Sequence, residues 1–359
     1  MEKRKILFVC PYPFDEAPSQ RFRFEQYLSI LQKHGYLYRF APFLNLKAWN
    51  ILYKSGNSIQ KLLWLKISFL KRLVLLCQLR PYHYIFIHRE ASPIGPPVFE
   101  WIIHFIWRKK IIYDFDDAIW LEDPNEKGSW KARIKWKSKV RSICKWSYKV
   151  SCGNEYLGEF ARKFNNYVII NPTTINTDYH KEMVVSKPNK IVIGWTGTHS
   201  TMQYLTPLLA ILDKLSEEYD FELRVISNQK PDYDVNYMHF IPWRKLTEIK
   251  DLNQLDIGIM PLTDDIWSQG KCGFKLLQYM AIKKPIVASP VGVNKKIIDE
   301  SQAGFSAESK EEWEKALSEL LTDHALRNQL GKNGENYVKN NYSVQSNQET
   351  FLRLFSELA

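Results

Sequence analysis

The sequence predicts an α/β protein built from two doubly wound, Rossmann-like units facing a cleft. Three observations predict it. Short, continuous apolar runs recur along the chain, as expected of strands buried on both faces of a parallel sheet. They alternate with stretches of helical apolar spacing, the pattern of successive β–α–β units. The chain's 359 residues are long for a single core, and the plan repeats after a polar interval.

In the first half, Lys5–Cys10 (KILFVC) is a buried strand followed by the turn-rich Pro11–Ser19. Phe24, Tyr27, Leu28 and Leu31 then fall at i, i+3, i+4 and i+7, with Ser19 as the expected N-cap and Gly35 as the stop. Tyr84–His88, Lys110–Phe115, Val150–Gly153 and Tyr167–Asn171 read as further strands. The second half opens with the strand Lys190–Trp195 and the glycine- and hydroxyl-rich loop Thr196–Thr201. A leucine-rich helix and the strands Phe221–Ser227, Met238–Ile241, Ile257–Met260 and Pro285–Ser289 come next. The boundary is expected in the polar stretch Asn171–Pro188. This gives an N-terminal domain over 1–175 and a C-terminal domain over 176–335. The helix in 336–359 is expected to pack back towards the first domain.

Composition narrows the classes. Apolar residues make up 45% of the chain and aromatics 14%, enough for two cores and unlike a disordered segment. Residues 1–175 hold 29 Lys and Arg against 14 Asp and Glu, leaving 21 and 25 for the remainder of the totals 50 and 39. All the excess positive charge therefore sits in the first half, where it suits a phosphate-bearing partner. Five scattered cysteines show no metal or disulfide spacing, which favours reduced thiols and a cytoplasmic location. The N-terminus reads as a charged start and a strand rather than a leader. The apolar Leu62–Leu79 is broken by Lys66, Lys71 and Arg72, so no segment has the ~20 apolar residues of a spanning helix.

The most informative stretch runs from Lys271 to Gly292 and opens with Lys271-Cys-Gly-Phe-Lys275. A helix starting near Gly273 puts Lys275 in its first turn, where the helix dipole disfavours a cation. Two ammonium groups beside helix N–H donors make sense around an anion; solvated lysines at a helix start are the alternative. Other candidates lie beyond the C-terminal ends of strands, where open α/β sheets bind ligands. Gly194-Trp-Thr-Gly197 is a loop that lets a diphosphate approach, or a plain turn. Ser19, Arg21 and Arg23 are candidates for phosphate, as are His88 and Arg89 after their strand. Asp114-Phe-Asp-Asp117 offers paired carboxylates, as base, metal ligand or ion-pair partners. No P-loop, GxSxG, HExxH or GxGxxG after the first strand is present, which argues against NTPase, hydrolase, zinc-protease and dinucleotide readings.

Together these residues resemble the bacterial GT-B glycosyltransferases of retaining family 4 (glycosyl transferases group 1) over nearly the whole chain. The resemblance rests on Lys5–Gly35, Lys110–Asp117, Ile193–Gly197 and, above all, Asp256–Gly292. It implies a nucleotide-sugar site in the second domain and an acceptor site in the first. The family's Glu-x7-Glu pattern is not kept: Gln278 stands at the second Glu and Gly270 at the first. The family's basic residues after the second-domain first strand are replaced by Thr198, Ser200 and Thr201, leaving Lys271 and Lys275 to supply the charge. Asp116 stands where the family often has His.

The expected activity is transfer of a sugar from a nucleoside diphosphate sugar to a saccharide or glycolipid acceptor, with retention, in cell-surface polysaccharide or glycoconjugate synthesis. The expected catalytic residues are Asp116, Lys271 and Lys275. Gly194, Thr196, Gly197, Pro242, Trp243, Gly273, Phe274 and Gln278 are expected to bind the donor. Ser19, Arg21, Arg23, His88 and Arg89 are expected on the acceptor or phosphate side, with no metal and no cofactor. The basic, Trp-bearing Lys127–Lys149 and the Leu62–Leu79 stretch make an anionic membrane surface a candidate partner on the inner face; a solvated basic face is the alternative. Specific nucleic-acid binding lacks an RNP, KH or helix-turn-helix signature. A nucleotide-sugar epimerase of the same plan and a metal-dependent transferase using Asp114 and Asp116 are the competing enzyme readings.

Overall fold

A computed structural model describes residues 4–52, 56–122 and 130–358. Contacts divide the chain into two units: Met1–Thr173 with Asn347–Ala359, and Thr174–Ser346. Each is an α/β unit around a six-stranded parallel sheet.

In the first unit the strands are β1 (Lys5–Cys10), β2 (Leu37–Pro42), β3 (Tyr84–His88), β4 (Lys110–Phe115), β5 (Lys149–Cys152) and β6 (Val168–Ile170). Their order is β2-β1-β3-β4-β5-β6, so the winding reverses between β1 and β3. Phe8 of β1 packs on Phe24 and Phe86, with ring centroids 5.1 Å apart in both pairs. The region expected as one helix from Ser19 is instead three short pieces, Pro18–Arg21, Glu25–Tyr27 and Leu28–Lys33. Ala17, not Ser19, is the N-cap, and Pro18 opens the first turn with its preset φ. The buried Glu25 and Gln20 hold this turn: Glu25 accepts from the Asp15 N–H at 2.8 Å and from the Gln20 amide at 3.0 Å.

The Ser58–Leu76 helix has its polarity reversed. Ile59, Leu62, Leu63, Leu70, Leu73 and Val74 are each more than half exposed, while Ser68 and Arg72 are buried. Arg72 explains the inner face. Its guanidinium donates to the carbonyls of Ala91 (2.8 Å), Ala41 (2.5 Å) and Cys10 (2.9 Å), satisfying groups in the last residues of β1 and β2 and just beyond β3. No described helix is long and apolar enough to cross a membrane.

In the second unit the strands are β7 (Ile191–Gly197), β8 (Phe221–Ser227), β9 (Met238–Pro242), β10 (Ile257–Met260), β11 (Ile286–Ala288) and β12 (Gly304–Ser306). The order β12-β11-β10-β7-β8-β9 places the reversal between β7 and β10. Trp195, Leu212, Leu223, Ile257, Ile259 and Leu317 are in its core. Two glycines pair across the reversal, Gly194 with Gly258. A Cβ on Gly194 would lie 2.3 Å from the Leu255 side chain, and one on Gly258 would lie 2.3 Å from the Tyr279 ring. Bare backbone here lets Leu255 and the Phe274–Ala281 helix settle directly on the sheet.

Candidate functional site

At a topological switch point the loops after the two central strands diverge and leave a crevice. In the second unit that point is the end of β7 and β10. The Phe274–Ala281 helix starts there, and Tyr279 fixes it. The Thr196 N–H donates to the Tyr279 hydroxyl at 2.9 Å, and that hydroxyl reaches the Ile259 carbonyl at 3.5 Å, so one phenol ties the helix to both strands. Gly273 is the N-cap with φ +66, a conformation side chains resist, so a glycine is needed where the loop turns into the helix.

This anchoring decides where Lys275 goes. Its ammonium lies 4.6 Å from the centroid of the Trp195 ring. Trp195 is fully buried, and its indole N–H has no partner among the described residues. Lys275 pairs with no carboxylate among the described residues. Burial foremost, and Lys271 second, pull its pKa down to about 7. Lys271 itself lies with its ammonium 5.5 Å from the Trp267 ring. Gly197 completes the corner: a Cβ there would sit 2.6 Å from the Trp195 ring and 2.7 Å from Thr201. The loop after β10 is ordered by Asp265, which accepts from the N–H groups of Trp267 (2.9 Å) and Ser268 (2.8 Å). Two cations, a helix start and a glycine corner thus meet at one crevice, the chemistry that holds a diphosphate.

The other donor-side expectations divide. Phe274 begins the helix and is partly buried. Trp243 and Gln278 are joined by a residue the sequence reading missed, Glu248. Its Oε1 accepts from the Trp243 indole at 3.4 Å and from the Gln278 amide at 3.3 Å, and Glu248 is buried. Pro242 is exposed at the end of the edge strand β9. Gly194 is corrected: the strand runs on to Gly197, so Gly194 is inside the sheet beneath Leu255 and no ligand approaches its backbone. Thr196 is likewise within β7, buried, with its N–H already given to Tyr279.

In the first unit, two expected phosphate ligands are structural. Arg23 and His88 are both 0% exposed. Arg23 forms an ion pair with Asp114 and donates to the Asn171 carbonyl, and His88 Nδ1 lies 2.7 Å from Asp114 Oδ2. Ser151 Oγ donates to Asp114 Oδ1 at 2.6 Å. Burial raises the Asp114 pKa, but Arg23 and then His88 outweigh it and hold the carboxyl well below its usual range. Arg21 is 3.4 Å from Asp15 and lies over the Phe22 ring, and Ser19 is partly exposed in the same short turn. Arg89, with φ +59 just beyond β3, donates to Asp116 at 2.8 Å and to Asp117 at 3.1 Å. Asp114 and Asp116 therefore serve two separate cations, and Asp114 is sealed from solvent; they do not form a shared metal-binding pair. Lys127 lies outside the described residues, as do the side chains of Trp130 and Lys131. Of the remaining basic stretch, Lys139 and Lys149 are buried, donating respectively to the Ser92 carbonyl at 2.8 Å and the Arg353 carbonyl at 2.6 Å.

Residues 190–323, which contain the whole crevice just described, match the family model of glycosyl transferases group 1. The match falls within the second unit. No curated protein sequence matches the chain significantly. Among solved structures, a glycosyltransferase from Rickettsia africae is 13% identical with a TM-score of 0.70, covering 99% of this chain and 98% of that one. Sucrose-phosphate synthase from Thermosynechococcus elongatus is 12% identical with a TM-score of 0.69, covering 98% of each chain. Anabaena HepE, solved with UDP-glucose, is 12% identical with a TM-score of 0.67, covering 98% of this chain and 100% of that one. These likenesses show the fold: the two Rossmann-like units are those of the GT-B architecture. Within the matched segment, Lys271, Lys275, Gly197 and Gly273 converge at the switch point.

Proposed function

We propose that the chain transfers a sugar from a nucleoside diphosphate sugar to a saccharide or glycolipid acceptor, and that its second unit holds the donor. The observation that carries this reading is Lys275, a half-buried ammonium with no carboxylate partner, set in the first turn of a helix beside a second lysine. Folding leaves a cation where both burial and the helix dipole oppose it. A diphosphate between Lys271 and Lys275 offsets both penalties.

The chemistry follows from charge. The bond from the anomeric carbon to the diphosphate oxygen breaks, and its electron pair leaves with the diphosphate. The acceptor oxygen bonds to the anomeric carbon as its hydroxyl proton is released. Negative charge grows on the leaving oxygens, so cations and N–H donors fixed in advance stabilise the transition state more than the bound donor. Lys275, Lys271 and the N–H groups after Gly273 take this role. Trp243, Pro242 and the Glu248–Gln278 pair are assigned to the nucleoside. In the first unit, Asp116, held by Arg89 beyond β4, is assigned to orient sugar hydroxyls. Retention follows from the family resemblance.

A thermal-shift panel of UDP-, GDP-, ADP- and CDP-linked compounds tests the donor. UDP-glucose comes first, since the similar HepE fold was solved with it. One base is expected to raise the melting temperature by mass action; no shift with any of the four at millimolar concentration would refute the donor assignment.

We propose further that the protein works on the cytoplasmic side of a membrane, docked peripherally through its first unit, in cell-surface glycoconjugate synthesis. The reversed Ser58–Leu76 helix, with Lys66 and Lys71 exposed among its outward leucines, supports this.

A further inference from the structure

The first unit has a basic cavity of about 300 Å³ at the N-terminal ends of its central strands, opposite the strand ends that carry Asp116 and Arg89. Among its lining residues are Arg4, Arg80, Arg108, Lys109 and Lys110, against a single carboxylate, Glu357. Much of that charge is already used. Glu357 pairs with Lys110 and lies 3.9 Å from Arg4. Lys109 donates to the carbonyls of Arg80 and Tyr82, both at 2.8 Å. Arg80 and Arg108 remain, and neither meets a carboxylate among the described residues. Two guanidinium groups left over in a cavity fit a phosphate, which they can hold by paired N–H donors.

The surroundings say what carries the phosphate. The Ser58–Leu76 helix, whose outer face is apolar, ends just before Arg80. The Val98–Ile106 helical segment ends just before Arg108, and its Trp101, Phe105 and Ile106 are exposed. The Lys109 bonds to Arg80 and Tyr82 bring the two helix ends together at the cavity. Phe69 of the first helix stacks on Phe99 of the second, with centroids 6.1 Å apart. Two apolar ridges thus converge on one pair of unneutralised guanidinium groups. A soluble phosphate compound would need only the cavity; the ridges are explained by acyl chains.

We propose that this cavity is a headgroup site for the phosphate of an anionic membrane lipid, with the two ridges lying in the acyl boundary beside it. The proposal rests on the peripheral-membrane reading and adds to it a defined phosphate site, distinct from the donor crevice of the second unit. It also gives the first unit's charge a specific use.

Co-sedimentation with phosphatidylglycerol–phosphatidylcholine vesicles, against pure phosphatidylcholine, tests both levels. Each basic residue at an anionic surface contributes about fivefold to partitioning, so Arg80→Gln with Arg108→Gln is expected to weaken binding on the order of 20-fold. Lys33→Gln with Lys163→Gln, an equal loss of charge from exposed positions outside the cavity, is expected to change it less than threefold. Unchanged melting temperature and donor-induced thermal shift establish that both variants are folded. Equal losses in the two variants would overturn the headgroup site while leaving membrane docking intact. Failure of the unaltered protein to bind anionic vesicles at low salt would overturn both.

Discussion

Lys275→Met is expected to weaken donor binding 10- to 150-fold, because a charge-assisted bond to phosphate contributes about 1.5–3 kcal/mol. Turnover is expected to fall by about a further hundredfold, since the same ammonium meets charge that develops as the diphosphate departs. Calorimetric titration and a steady-state assay check the two parts separately. The substitution is not expected to harm the fold. The folded pKa of Lys275 is about 7, below its ordinary 10.5, so between those values the unfolded chain binds the additional proton. Stability from this group therefore rises with pH across that window and is lowest below pH 7. The Met variant should melt above the wild type at pH 6, with the difference shrinking towards pH 10. A large fall in melting temperature at pH 6 would mean that Lys275 is a structural cation.

Asp114→Ala is expected to cost the first unit about 3–5 kcal/mol, because it strands the buried Arg23 guanidinium. Arg23 is 0% exposed and cannot swing to solvent without opening the core around Phe8, Phe24 and Phe86. Chemical denaturation monitored for the first unit reads this loss. Arg23→Met with Asp114→Leu should recover much of it, since no unpaired charge then remains. The sign with pH is the reverse of that at Lys275. The Asp114 carboxyl is held below its ordinary value, so its contribution is complete above about pH 4 and is lost only as pH falls through the depressed value. Asp114→Ala should consequently remain destabilised at pH 5. Equal stability of variant and wild type at pH 5 would contradict the ion-pair account.

The strands were readable because both faces of each central strand are covered, which leaves runs such as Lys5–Cys10 and Ile257–Met260 almost without polar residues. The crevice of the second unit was readable in part because a glycine that must take positive φ stands immediately before the helix that carries Lys275, with Lys271 two residues ahead of that glycine. What the sequence does not display is which way a side chain turns once its element is packed. Arg23 and His88 carry ligand chemistry and sit beside strand ends, yet both turn inward to Asp114, a partner 91 and 26 residues away. Gly194 looked like loop backbone because Trp195 resembled the end of a strand; the strand continues, and the glycine's role is to admit Leu255. Glu248 gave no signal, since its partners lie 5 and 30 residues away and its local sequence reads as an ordinary helix start. The Ser58–Leu76 helix was visible as apolar, but only Arg72, bonded to three inward carbonyls, shows that its leucines face out.

The central claim is that its site weakens the hold of Lys275 on its proton, so that above pH 7 the side chain takes up a proton when a diphosphate arrives. Titration of the nucleoside diphosphate at pH 8.5, in two buffers of different ionisation enthalpy, measures it directly. The account predicts proton uptake approaching one per diphosphate bound, absent in Lys275→Met. Buffer-independent heats, or uptake that survives in Lys275→Met, would contradict it.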